Sequence, residues 1–157
     1  MITFPTAQPA PAIKRRSVQV IALAYATILS IFVVTQLYSF DDFILIIDSL
    51  WLPGGIELAQ VIAAVIVIVE LFALPFLLRM KLSQAFRGFS MGCGWVAAGL
   101  WLVANIWVAT TTNEISNIGY LGSVIAVEPG LVSWLVAILL VALSVISSWG
   151  MHSKKTK

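Results

Sequence analysis

Apolar residues in this chain run in four long blocks instead of alternating or recurring on one face. The blocks are 17–39, 56–78, 88–110 and 130–149, each 20 to 23 residues long. At about 1.5 Å of rise per residue, each block as a helix matches or exceeds the ~30 Å hydrocarbon thickness of a bilayer. Inside lipid every backbone polar group must be bonded within the protein, and a β-barrel would need alternating segments of about 10 residues. A run such as Val65-Ile66-Val67-Ile68-Val69 would favour a strand in water, but length and surroundings override that preference here. The predicted fold class is all-α: a four-helix transmembrane bundle over 17–149, between an N-terminal tail (1–16) and a basic C-terminal tail (150–157).

Composition agrees. The chain of 157 residues is 61% apolar and 10% charged, with a mean hydropathy of +1.03. Ordinary soluble domains are about 45–50% apolar and about 25% charged, so a soluble enzyme or a nucleic-acid-binding domain is excluded. The net charge of +2 does not revive a nucleic-acid partner. All nine Lys and Arg residues fall at span ends: Lys14, Arg15 and Arg16; Arg79, Lys81 and Arg87; Lys154, Lys155 and Lys157. The connections 40–55 and 111–129 hold none, carrying instead Asp41, Asp42, Asp48, Glu114 and Glu128. The positive-inside rule then predicts both termini and the middle turn in the cytoplasm, and the expected location is the inner (cytoplasmic) membrane. Lys14-Arg15-Arg16 ahead of Ala24-Tyr25-Ala26 has the outline of a secretory signal, yet cleavage there would leave too short an apolar core. The first span is expected to be retained.

The two outer connections are themselves apolar. Phe43 to Trp51 is too short to span and too greasy for a solvated loop, and Ile115, Ile118, Tyr120, Leu121, Val124, Ile125 and Val127 punctuate the other. Such segments lie in the interface or fold back over a bundle. Tyr38, Trp51, Trp107, Tyr120 and Trp134 are expected to form an aromatic belt at that level.

Glu70 is the candidate intramembrane functional residue. A charge near the middle of a span costs about 2.5–3.5 kcal/mol on insertion scales, so the carboxyl must be neutral or paired. It serves either as a hydrogen-bonding strut between helices or as a proton-relay or ligand group. Gln36, Gln60 and Asn105, with Glu57 one turn before Gln60, form a candidate polar cluster in the outer half. They are either interhelical glue or the lining of a pocket the size of a headgroup or quinone. Gly88, Gly92 and Gly99 are candidate packing positions, expected to seat neighbouring helices of the same chain, with homo-oligomerisation as the other use of such a stripe. Cys93, the single cysteine, reads as a small packing residue. No histidine lies in a span, and there is no Cys-x-x-Cys, carboxylate cluster or phosphate loop, so the sequence points to no catalytic set, metal or evident cofactor.

Four spans, a connection ending in Leu52-Pro53-Gly54-Gly55, Glu70-Leu71 in the second span and the turn Arg79-Met80-Lys81-Leu82-Ser83 together resemble the DoxX-like (DoxX/MauE) family of small membrane proteins. The similarity covers about residues 21 to 107. It implies an accessory or assembly subunit of a quinone- or thiol-linked membrane redox system, whose partners are the bilayer and other membrane subunits. Glu70 is the one position it marks. Two other classes compete: a subunit that binds quinone or another amphiphile beneath the outer connections, and a small transporter or proton-conducting element centred on Glu70. The last would rest on a single carboxylate, with no inverted repeat between the two pairs of spans.

Overall fold

A computed structural model of the chain describes residues 16–50, 53–111 and 115–151. Lys14 and Arg15, Trp51 and Leu52, Glu114, and the C-terminal residues from His152 onward lie outside the described residues. Among those described, the chain forms five helices: α1 (Arg16–Tyr38), α2 (Phe40–Ser49), α3 (Gly55–Leu77), α4 (Gln84–Thr110) and α5 (Leu131–Met151). All but α2 are long and apolar enough to cross a membrane. In the bundle α1 packs on α3 and α5, and α4 packs on the same two, closing a square.

The square is held by one stripe per helix. Ala22, Ala26, Leu29, Val33 and Gln36 form the stripe among the buried positions of α1; Ala59, Ala63, Ile66, Glu70, Ala73 and Leu77 that of α3; Ser133, Ala137, Leu140, Ser144 and Ser147 that of α5. Their spacing of four and three residues is the left-handed bundle repeat, here built largely from small side chains that let helix backbones approach. In α4 the stripe runs Ser90, Gly94, Ala97, Trp101, Asn105 and Val108.

The ends explain themselves locally. Leu78, Arg79 and Met80 close α3 in a Schellman motif: Met80 N–H bonds Pro75 O at 3.0 Å and Arg79 N–H bonds Phe76 O at 3.1 Å. Arg79 takes the left-handed conformation (φ 57°) that this cap requires. Ser83 then caps α4, its hydroxyl accepting from Phe86 N–H at 3.3 Å. That cap starts α4 four residues before the predicted Gly88, adding a polar turn with Gln84 and Arg87.

The expectation of two apolar loops at the α2 end is corrected in part. One connection is the helix α2, with Phe43 and Ile47 buried and Asp41, Asp42 and Asp48 exposed. It lies against α3 and touches α1. Its two aspartates in the first turn complement the positive helix N-terminus. The other connection is irregular and dips inward. Asn117 organises it: its Oδ1 accepts from Gly119 N–H and Val127 N–H, both at 3.0 Å, and its Nδ2 donates to Gly122 O at 3.0 Å. Gly119 (φ 99°) and Gly122 (φ 58°) allow the reversals. Tyr120 is thereby carried inside, 1% exposed, and not into the aromatic belt, because its ring and hydroxyl both find partners within the bundle.

Candidate functional site

The polar residues of the stripes meet inside the half of the bundle that carries α2. Side chains on a helix lean toward its own N-terminus, and α1 and α3 run antiparallel. Gln36 therefore reaches from the end of α1 toward the middle, while Glu70 reaches from the middle of α3 back toward it, and the Gln36 amide comes against the Glu70 carboxyl. Both side chains are fully buried. Trp101 of α4 donates its indole N–H to Glu70 Oε1 at 2.7 Å. One turn further along α4, Asn105 Nδ2 donates to Trp101 O at 2.8 Å and to the Tyr120 hydroxyl at 2.7 Å. Tyr120 donates onward to Ser133 O on α5 at 3.0 Å, and its own carbonyl accepts from Gln36 Nε2 at 3.1 Å. The Tyr120 and Trp101 rings lie 4.5 Å apart, with Phe32 of α1 against both. One connected network thus ties α1, α3, α4, α5 and the connection before α5. Burial pushes the Tyr120 phenol up to about 12, the hydrogen bond from Asn105 drawing it part of the way back.

Of the residues singled out in sequence, Glu70, Gln36 and Asn105 are brought together. Gln60 and Glu57 are not: both are exposed on α3. The buried stripe of α3 passes through Ala59 and Ala63, and Gln60, one residue later, falls about 100° off it.

Gly88, Gly92 and Gly99 also change role. A methyl group at any of the three would meet nothing within 4 Å, so they seat no helix of this chain. They fall between the stripe positions of α4. The close approach belongs to Gly94, whose added Cβ would touch Ala73 Cβ and Tyr25 Cε1 at 3.8 Å. There the Tyr25 hydroxyl donates to Gly94 O at 2.7 Å.

A second tie repairs the proline in α3. Pro75 lacks an N–H, which loosens the helix around it. Ser90 of α4 enters beside it, its hydroxyl accepting from Phe76 N–H at 3.0 Å and donating to Phe72 O at 2.6 Å. Sequence reading passed over Ser90 and Trp101, met Tyr25 only within the signal-like Ala24-Tyr25-Ala26, and assigned Tyr120 to the aromatic belt. For Trp101 the signal was present: it stands seven residues after Gly94 and four before Asn105, on the same face.

An apolar pocket of about 240 Å³ opens between α2, α3 and α4, lined by Ile47, Leu50, Ile62, Ile66, Leu100, Trp101, Val103, Ala104 and Trp107. Trp107 closes one side of it by donating its indole N–H to Leu50 O at 2.8 Å. Trp101 is common to both places, lining this pocket while it holds Glu70. Among the described residues, no group of three or more His, Cys, Asp or Glu is placed to hold a metal ion. The chain matches no family profile, no curated protein and no solved structure.

Proposed function

We propose that this chain is a small accessory or assembly subunit of DoxX-like type in the inner membrane, both termini in the cytoplasm, working within a redox-linked complex and not as a catalyst alone. The observation that carries it is the bracing of the α2 end. The network from Glu70 through Trp101, Asn105 and Tyr120 to Ser133, with Gln36 of α1 donating to Tyr120 O, fixes the connection before α5 to four helices. Ser123 of that connection donates to Asp42 of α2 at 3.0 Å, so the two outer elements form one fixed acidic surface. A rigid outer platform on a lipid-embedded frame is the geometry of a docking subunit. Purification from native membranes in a mild detergent should bring down other membrane subunits. Charge reversal at Asp41 and Asp42, both exposed, should release them while leaving the bundle folded. Recovery of the chain alone, or with an unchanged set of proteins after charge reversal, would count against docking at this surface.

A second reading, an amphiphile- or quinone-binding subunit, is favoured by the apolar pocket beneath α2. A tail lying there would rest on Trp101, the residue that holds Glu70. Tryptophan quenching by an added short-chain quinone, lost in Ala104→Trp, would support it over the docking role.

A further inference from the structure

Three oxygens of this network have no hydrogen-bond partner, Glu70 Oε2, Gln36 Oε1 and Asn105 Oδ1; a fourth buried oxygen without one, Ser147 Oγ, is a hydroxyl near the far end of α5. The first three side chains are at least 98% buried, with exposures of 0%, 0% and 2%. The two amides cannot be turned over to repair this. Gln36 Nε2 donates to the carbonyl of Tyr120 and Asn105 Nδ2 to that of Trp101, so a flip would set oxygen against oxygen. The single N–H of the Trp101 indole is spent on the other oxygen of Glu70.

Nor do the neighbouring elements bring a counter-charge. Facing this centre are Tyr25 of α1, Tyr120 of the connection and, further along α4, Cys93; α5 carries no titratable residue between Leu131 and Gly150. The aspartates of α2 are exposed. The described cations, Arg16, Arg79, Lys81 and Arg87, stand at the opposite ends of the helices. A carboxylate with one oxygen unmet and no counter-charge, beside unmet amide oxygens in a bundle surrounded by lipid, is strongly unfavourable.

We infer that Glu70, Gln36 and Asn105 form a buried site for one small monovalent cation, a proton or an alkali ion, at the heart of the bundle. A proton on Glu70 Oε2 turns that unmet acceptor into a donor and leaves no buried charge to meet. An alkali ion instead takes the carboxylate oxygen and amide oxygens as ligands. A single carboxylate neutralises one charge, which sets the site apart from the carboxylate-rich cages of divalent ions. The inference does not depend on the docking role, since it concerns the interior and not the acidic surface.

The test uses the purified chain in nanodiscs of zwitterionic lipid, melted in buffers from mildly acid to mildly alkaline, below the range in which Tyr120 loses its proton, with choline, potassium or sodium as the only salt cation. In choline the wild-type melting temperature should fall as pH rises, because the emptied site leaves a buried anion. Sodium or potassium should restore it in alkali. In Glu70→Gln both responses should be lost. A fall that neither alkali ion reverses identifies the occupant as the proton, within the same site. A melting temperature unmoved by pH and cation, or responses kept in Glu70→Gln, would overturn the site. Should Glu70→Gln fail to fold, Gln36→Leu decides. It keeps the Glu70 carboxyl and removes the amide beside it, together with that amide's donation to Tyr120 O, so the wild-type midpoint in pH or in cation concentration should shift, and an unmoved midpoint is equally fatal.

Discussion

At the scale of single residues, the bundle is specified by a few polar atoms in positions where lipid offers no substitute partner. Trp101 shows this best. Its indole N–H is the donor to Glu70 Oε1 at 2.7 Å, so Trp101→Phe keeps most of the ring's packing and strips the hydrogen bond. Interhelical bonds of this kind contribute about 0.6–2 kcal/mol, and Trp101→Phe should destabilise by that order in reversible unfolding from mixed micelles. Trp101→Leu should cost more, because the contact with Tyr120 goes as well. Tyr120 makes a prediction in pH. Its phenol is raised from about 10 to about 12 in the folded chain, so folding favours the protonated form. The resulting stability is complete below pH 10 and is lost as pH climbs from about 10 toward about 12. Tyr120→Phe should abolish that alkaline loss while lowering stability at neutral pH, a difference that melting curves at the two pH values would resolve. Gln36 and Asn105 were visible as amides in apolar spans and Glu70 as a charge. That Gln60 and Glu57 stand apart was not visible, because polarity gives depth along a helix while the phase of the buried stripe decides which face it serves.

At the scale of elements, α1, α3, α4 and α5 were legible because the bilayer dictates their length, and their ends moved by no more than two residues except where the Ser83 cap starts α4 four residues early. The segment that became α2 announced itself as apolar and too short to span, but its helical form depends on Phe43 and Ile47 finding α3 beneath them. Gly88 and Gly92 read as a close-approach motif, but nothing in the described chain comes within 4 Å of an added methyl group at either, and the close approach is made at Gly94 instead. The connection before α5 was the least legible element. Its course is set by one side chain, Asn117, and by two glycines with positive φ, information that apolar patterning does not contain. Asn117→Ala should therefore uncouple the connection from the bundle, and amide exchange should rise at Gly119 and Val127, whose N–H groups it receives, before any change in α3 or α4. Gly122→Ala should act similarly. Its φ of 58° and the Thr35 carbonyl 3.0 Å from an added Cβ leave no relaxed place for the methyl group, a strain of about 1–3 kcal/mol. If exchange at Tyr120 and Ile118 stayed slow in both variants, the connection would be held by burial alone.

At the scale of the whole molecule, the arrangement is polarised along the bundle axis. The described basic residues Arg16, Arg79, Lys81 and Arg87 gather at one end, while Asp41, Asp42, Asp48, Glu57 and Glu128 gather at the other, with α2. Short loops rich in Lys and Arg are retained in the cytoplasm, so the α2 end should face outward, and every span must then cross once in alternating sense. Single cysteines test this, provided that the native thiol does not interfere; Cys93 is 7% exposed, and Cys93→Ser supplies a clean background, since a small side chain there only fills space. In intact cells Asp41→Cys and Glu128→Cys, both at exposed positions, should react with a membrane-impermeant maleimide. Lys81→Cys, exposed in the turn between α3 and α4, should react only after permeabilisation. Labelling of Lys81→Cys from outside, with Asp41→Cys protected, would turn the molecule over and place the acidic platform in the cytoplasm. Equal labelling at both ends in intact cells would mean that the charge asymmetry fails to fix one orientation, and that the chain inserts both ways.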